Sequence, residues 1–193
     1  PERKQFVMSY FGSVYGGAST SARYLPPFLK AIGALKEKGV ITAHTFQVMF
    51  WGSGGLERYD DLIESLGIRD LITGNERISQ KEAMQKMIES DALMLLQGPV
   101  FNCQIPLKFY EYVATGNPIL ALTEHDGATG TAARAIENAI IAPMSDVAEI
   151  ERAAEKLLTA RRREVDESVL KYSRRFQTEA LVGVLDEAKN QRN

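Results

Sequence analysis

The sequence is poor in the residues that build disulfides and metal sites. Among 193 residues it has one cysteine, Cys103, and two histidines. A lone cysteine cannot form an internal disulfide, and one thiol with two scattered imidazoles cannot complete a tetrahedral zinc site. We therefore expect no metal and no cofactor, and the cysteine content is compatible with the cytosol.

An excess of charge of either sign is also lacking. The chain has 25 acidic and 23 basic side chains, which gives a formal net charge of −2. Binding to nucleic acid needs a strong positive excess or a concentrated basic stripe. The only basic run, Arg161 to Arg163, is short and is flanked by Glu164 and Asp166. We interpret it as a solvated helix end, with a membrane-facing patch as the alternative, and expect no nucleic-acid partner.

Long apolar runs are missing as well. No window approaches the roughly 18 to 20 consecutive apolar residues of a membrane-spanning helix, and no basic-then-apolar leader opens the sequence. The hydrophobic content of 45% is ordinary for a globular protein. These absences indicate a globular domain, and the order of strand-like and helical hydrophobic patterns decides whether its fold is α, β or α/β.

The chain alternates short β-rich runs with longer helical patterns from end to end. This alternation predicts an α/β fold, a three-layer α/β/α sandwich around a parallel sheet of about six strands. The predicted strands cover residues 6–11, 44–51, 71–73, 92–97, 118–123 and 140–142. The predicted helices end at Gly39, Gly67, Gly116, about Ala160 and about Lys189, with capping signals at Ser79 and Glu82, Pro106, and Asp146 and Glu149. Without a repeat or linker, residues 1–193 are predicted to form one domain.

Glycine-containing loops follow four of the predicted strands. They are Gly12–Gly17, Gly52–Gly55, Gly74–Ile78 and Gly98–Ile105. All four meet at the edge formed by the carboxyl ends of the strands, where ligands of such sheets bind. Glycine and helix N-termini suit a phosphorylated ligand, although each loop alone is also explained as a tight turn. The dinucleotide fingerprint and the Walker lysine motif are both absent.

Lys108 and Glu111 lie three residues apart on a predicted helix that begins at this edge. The cation can meet a phosphate, and the carboxylate can accept hydrogen bonds from two ribose hydroxyls. A solvated ion pair one helical turn apart is an equally good explanation on spacing alone.

The segment IPLKFYEYVATGNPILAL resembles a block of the C-terminal, donor-binding domain of GT-B fold glycosyltransferases, especially the retaining family 4. The matching positions are Pro106, Lys108, Glu111, Ala114, Gly116 and Pro118. YFGSVYGG, FWGSGG and LITGNERISQKEAMQKMIESDALMLL resemble the family's earlier segments in the same order. Phe176 and the apolar helix after it resemble the helix that returns to the N-terminal domain.

The resemblance implies a Rossmann-like domain that binds a nucleotide sugar, such as a UDP- or GDP-sugar, against a second, N-terminal acceptor domain outside this sequence. The whole enzyme would transfer a hexosyl group to a glycan or lipid-linked acceptor in polysaccharide biosynthesis. It would be cytoplasmic, with a peripheral association at the inner face of the membrane left open. The isolated domain is expected to bind donor without being active.

The resemblance also implies roles for individual residues. Lys108 and Glu111 are the expected catalytic residues, and Glu111 also holds the ribose. The other expected donor-binding residues are Gly12, Ser13, Gly16, Gly17, Gly52, Gly54, Arg77, Ile78 and Cys103. Cys103 stands eight residues before Glu111, close to where the family has its first carboxylate.

The first loop has Ser13 and Ser19 where many members have an arginine and a lysine. Lys108 is then the expected principal cation, whereas Arg23 is predicted to be a surface residue on the first helix. Phe46 and Trp51 are predicted to belong to a buried strand, and His125 and Asp126 fit either a donor-facing loop or a solvated one. A nucleotide-sugar epimerase of the same architecture and a non-catalytic binding module remain as alternatives.

Overall fold

The computed structural model describes residues 5–14, 23–52, 54–165 and 174–190. The chain forms two compact units, Pro1–Arg163 and Glu164–Asn193. One domain over residues 1–193 stays a prediction.

The first unit is built on a six-stranded parallel sheet with the strand order β3-β2-β1-β4-β5-β6. The strands are β1 (Phe6–Phe11), β2 (Phe46–Trp51), β3 (Ile72–Asn75), β4 (Ala92–Leu96), β5 (Ile119–Leu122) and β6 (Ala139–Ala142). This arrangement confirms the predicted Rossmann-like α/β fold. All residues of β4 and β5 are buried, as expected of apolar strands covered on both faces.

The helices are α1 (Pro26–Glu37), α2 (Asp60–Ser65), α3 (Gln80–Glu89), α4 (Leu107–Val113), α5 (Ala128–Arg134), α6 (Val147–Leu157) and α7 (Arg174–Asn190). Local sequence explains several of their ends. Ser79 and Glu82 form the predicted capping box, and Asp146 accepts a hydrogen bond from the Glu149 amide at 2.9 Å. Helix α5 is the one helix of the first unit, within the described residues, that the sequence did not predict.

Helix α1 lies against α6 and touches α2 on one side of the sheet, and α3 and α4 pack on β1 and β4. Small residues allow the close approach of α6, which buries Ala153 and Ala154 together with Ile150 and Leu157. Buried apolar side chains of the strands and of α1, α2 and α6 form one continuous core. None of the described helices is long and apolar enough to cross a membrane.

Strands β1 and β4 are neighbours in the middle of the sheet. From β1 the chain proceeds outward to β2 and β3, and from β4 it proceeds in the opposite direction to β5 and β6. The loops that follow β1 and β4 therefore diverge, which opens a crevice at the carboxyl edge of the sheet.

The second unit contains α7, whose described side chains are exposed along the whole helix. Its large exposed apolar residues are Phe176, Leu181, Val182, Val184 and Leu185. The predicted final helix over residues 167–189 is therefore confirmed from Arg174 onward, and residues 167–173 lie outside the described residues.

Candidate functional site

A pocket of about 370 Å³ opens at the carboxyl edge of the sheet. Its lining comes from the ends of β1 and β2, the segment before α1, the loop after β3, α3 and α4. The lining residues are Phe11, Gly12, Ser13, Arg23, Trp51, Gly52, Arg77, Ile78, Ala83 and Lys108. Among the described residues, this lining contains three cationic side chains and no carboxylate.

Gly12 lies directly under the cationic part of the pocket. Its amide donates to the Trp51 carbonyl at 2.8 Å, and its φ of +119° favours glycine. A Cβ on this residue would lie 2.5 Å from Lys108 Nζ and 3.9 Å from Arg23 Nη1. The absence of a side chain here therefore leaves room for the Lys108 ammonium at the end of β1, whereas Arg23 would be in ordinary contact with a Cβ.

Lys108 points from the first turn of α4 toward the end of β1. Its Nζ donates a hydrogen bond to the Phe11 carbonyl and lies 4.8 Å from the centre of the Tyr10 ring. The pKa of Lys108 is lowered from 10.5 to about 8, mainly by burial and then by the charge of Arg23, whereas the carboxylate of Glu111 opposes the shift. The cation is held in the pocket at an energetic cost.

Arg23 is the second cation at Gly12, and its placement corrects the sequence analysis. It precedes α1, which begins at Pro26, so it is not a surface residue of that helix. Its Nη1 donates to the Ser13 carbonyl at 3.0 Å. The prediction failed because Arg23 precedes the periodic stretch of α1, so helical periodicity does not determine where its side chain points.

Solved structures show what this architecture resembles. The lipopolysaccharide outer core galactosyltransferase WaaB, in its apo form, matches with a TM-score of 0.70 at 14% identity, over 97% of this chain and 51% of that one. The C-terminal domain of a glycosyl transferase group 1 family protein, LpcC of Francisella tularensis, also matches. The TM-score is 0.58 at 13% identity, over 86% of this chain and 79% of that one. The chain has the fold of a GT-B glycosyltransferase domain.

The UDP-GlcNAc 2-epimerase of Methanocaldococcus jannaschii, solved with UDP-GlcNAc and UDP, also matches this GT-B domain. The TM-score is 0.59 at 12% identity, over 95% of this chain and 46% of that one. The chain thus spans about half the length of WaaB and of the epimerase. No protein-family model and no curated protein matches the sequence, so the assignment to family 4 stays a prediction.

Several residues predicted to bind donor come together in the pocket of the GT-B domain. Gly12, Ser13, Gly52, Arg77, Ile78 and Lys108 all line it. Gly52 resembles Gly12 in having a positive φ, +65°, and its amide donates to the Asn75 carbonyl at 3.1 Å. Their roles in binding remain predictions.

The other predicted residues lie elsewhere. Glu111 is half-buried on α4 and is absent from the pocket lining, although its charge acts on Lys108. The two do not form an ion pair in the described part of the chain. Gly54 and Cys103 are exposed outside the pocket, and Gly16 and Gly17 lie outside the described residues.

The aromatic residues at the strand ends form one wall of the pocket. Trp51 is half-buried and stacks on Phe11 with ring centres 6.4 Å apart and an interplanar angle of 11°. Phe46 is buried as predicted. His125 is exposed, and its Nε2 lies 3.3 Å from a Glu149 carboxylate oxygen, so it belongs to a polar surface contact away from the pocket lining.

A larger cavity, of about 770 Å³, lies at the opposite edge of the sheet, where the strands begin. Phe6, Thr45, Asp91 and Asn117, which start or precede strands, contribute to its lining. Its lining combines the acidic residues Glu89, Asp91 and Glu155 with Arg161 and Arg162, so it lacks the purely cationic charge of the smaller pocket. Ligands of open parallel sheets bind at the carboxyl ends of the strands, so the smaller pocket is the better candidate site.

The described residues were searched for clusters of metal-binding side chains. Within residues 5–14, 23–52, 54–165 and 174–190, no group of three or more His, Cys, Asp or Glu side chains could hold a metal ion.

Proposed function

We propose that this chain is the donor-binding domain of a glycosyltransferase that transfers a hexosyl group from a UDP- or GDP-sugar to a glycan or lipid-linked acceptor. The observation that carries the proposal is the pocket at the ends of β1 and β2. It contains Arg23, Arg77 and Lys108 without a carboxylate among its described lining residues, which is the electrostatic environment that a nucleoside diphosphate requires.

The pocket fits the chemistry of glycosyl transfer. As the bond between the sugar and the diphosphate breaks, negative charge accumulates on the diphosphate leaving group. Cations fixed before the reaction stabilise that charge without having to reorganise. Main-chain carbonyls hold both Lys108 and Arg23 in position. In this proposal Lys108 acts catalytically by stabilising the leaving group, and no metal is needed.

Glu111 has a binding role in the proposal. It lies one helical turn after Lys108 and is half-buried, so its carboxylate can accept hydrogen bonds from the two ribose hydroxyls. The acceptor site is assigned to an N-terminal domain outside this sequence. We therefore expect donor binding, in the high micromolar to millimolar range, but no transfer by the chain alone.

A nucleotide-sugar epimerase is the second candidate, because the epimerase of M. jannaschii matches over 95% of the chain. Epimerisation requires groups that remove and return a proton or otherwise act on the sugar ring. The described pocket lining supplies no carboxylate and no histidine for this task. Glycosyl transfer requires mainly stabilisation of the leaving group, so it fits the residues of this domain better than epimerisation does.

Titration of the chain with UDP and GDP, followed by the NMR shifts of backbone amides, tests the proposal. Binding should shift the amides of Gly12, Gly52 and Glu111. The variant Glu111→Ala should bind UDP no better than pyrophosphate, because it lacks the ribose acceptor. Glu37→Ala, at an exposed position near the end of α1, is the matched control and should bind like the wild type. If neither nucleotide shifts these amides at millimolar concentration, the chain is not a donor-binding domain.

A further inference from the structure

The central strand β1 separates from its neighbour β4 before it ends. It pairs with β2 over its whole length. Its pairing with β4 is confined to Met8 and Ser9, whereas β4 continues beside β5 as far as Leu96. Phe11, the last residue of β1, therefore borders the crevice rather than β4.

The main-chain N–H of Phe11 faces the side on which β4 has turned away. Successive N–H groups of a strand point to alternate neighbours, and the next one, of Gly12, donates to the Trp51 carbonyl on β2. Phe11 is buried, so an N–H without an acceptor would be costly there. The hydroxyl of Tyr112 on α4 accepts this hydrogen bond at 3.4 Å. A side chain thus replaces the carbonyl of a neighbouring strand.

The other main-chain group of Phe11 is also bound by α4. Lys108 Nζ donates to the Phe11 carbonyl. Because Lys108 and Tyr112 are four residues apart, they lie on one face of the helix. The rings of Tyr112 and Phe11 pack edge to face, with centres 6.4 Å apart and an interplanar angle of 65°. One helix therefore holds Phe11 by its N–H, its carbonyl and its ring.

Tyr112 can act on a ligand only indirectly. Its side chain is fully buried, and it is not part of the pocket lining. Burial raises the pKa of Tyr112 above its ordinary value, so the hydroxyl stays neutral and keeps the same partner around neutral pH. Any effect of this hydroxyl on binding must pass through Phe11 and the Lys108 ammonium that Phe11 holds.

We propose that Tyr112 is a positioning residue for donor binding, because its bond to the Phe11 N–H fixes the carbonyl that holds the Lys108 ammonium in the pocket. The inference rests on the proposed function for the identity of the ligand and adds a residue outside the pocket. Without the hydroxyl, the backbone of Phe11 would have to shift to satisfy its N–H. The Lys108 ammonium would shift with the carbonyl, and its hydrogen bonds to an anion would weaken as their geometry worsens.

The test compares Tyr112→Phe with Ile150→Val in the full 193-residue chain. Tyr112→Phe keeps the ring that packs on Phe11 and removes only the hydroxyl. Ile150 is buried on α6 outside the pocket lining, so its variant loses core packing but leaves the bonds of Phe11 in place. Tyr112→Phe should bind UDP about fivefold more weakly than the wild type, and Ile150→Val should bind it like the wild type. In the free chain, the Phe11 amide should exchange with solvent faster in Tyr112→Phe than in Ile150→Val, because it has lost its acceptor.

A double-mutant cycle with Lys108→Met shows whether Tyr112 acts through Lys108. Tyr112→Phe should weaken UDP binding in the wild-type background and should have little further effect in the Lys108→Met background. A merely structural role of the hydroxyl would weaken binding by the same factor in both backgrounds, and that result would overturn the proposal.

Equal UDP affinities for Tyr112→Phe and Ile150→Val would also overturn the role of Tyr112, and they would leave the proposed function intact. If the wild type binds neither UDP nor GDP at millimolar concentration, the proposed function fails. The same cycle with inorganic pyrophosphate then decides about Tyr112. A loss of affinity that requires Lys108 supports the positioning role, whereas equal affinities or no binding at all contradict it.

Discussion

Lys108 shows how a single buried cation links binding to stability. Its pKa is about 8 in the folded chain, below its ordinary value of 10.5, mainly because burial disfavours the charged form. Between these two pH values the unfolded chain binds more protons than the folded one, so folding stability must rise with pH. The ammonium that a phosphate ligand would use destabilises the empty domain at neutral pH.

The variant Lys108→Met tests this cost. Relative to Lys108→Met, the wild type should gain on the order of 2 kcal/mol of unfolding free energy between pH 7.5 and 10.5, after allowance for the partly exposed side chain. Urea denaturation at several pH values measures the difference. Lys30→Met, at an exposed position on α1, is the control and should follow the wild type in parallel. If the difference in unfolding free energy between the wild type and Lys108→Met stays constant with pH, the folded state does not disfavour the charged form of Lys108.

Gly12 illustrates a requirement for the absence of a side chain. Its φ is +119°, and a Cβ added to it would lie 2.5 Å from Lys108 Nζ. The variant Gly12→Ala should therefore lose about 1 to 2 kcal/mol of unfolding free energy and should displace Lys108. Gly54→Ala is a matched control, because a Cβ there meets nothing within 4 Å. Thermal unfolding and UDP titration of both variants check the expectation. Equal behaviour of the two alanine variants would show that the floor of the pocket tolerates a methyl group.

At the scale of elements, the sequence predicts best those strands and helices whose signal lies in a few neighbouring residues. The apolar run of β4 and the capping residues Ser79 and Asp146 predicted elements that the structure confirms. Helix α5 was missed because its seven residues, ATGTAAR, contain a glycine and two threonines and lack a long apolar stripe. Tertiary contact supports it instead: a Cβ on Gly130 would lie 2.2 Å from the Glu124 carbonyl oxygen, so the loop passes directly over the helix.

The site was predictable to the extent that it follows from topology. Glycine-containing loops after β1, β2 and β3 had to share one edge of the sheet, and residues of all three line the pocket. Arg23 was not predictable in this way, because it precedes α1 and belongs to no periodic element whose pattern would indicate the direction of its side chain. For Glu111, the helical spacing correctly predicted a position one turn from Lys108. The spacing does not determine whether the side chain reaches the pocket, and Glu111 lies outside the lining.

At the scale of the whole molecule, a net charge of −2 coexists with a strongly cationic pocket. The domain needs no basic surface, because a few fixed cations act at short range on a bound anion. The two cavities at opposite edges of the sheet differ in this respect, since the larger one combines acidic residues with Arg161 and Arg162.

The last prediction uses this contrast between the two cavities. Binding of UDP should shift the amides of Gly12, Gly52, Arg77 and Lys108 at the carboxyl edge. Amides around the larger cavity, such as Thr45 and Asn117, should remain unshifted, because the carboxylates of Asp91 and Glu155 offset the charge of the two arginines there. A two-dimensional amide spectrum recorded at increasing UDP concentration measures both edges in one sample, so each cavity serves as the control for the other. Saturable shifts confined to Thr45 and Asn117 would place the ligand at the wrong edge of the sheet and would contradict a donor site built on Gly12.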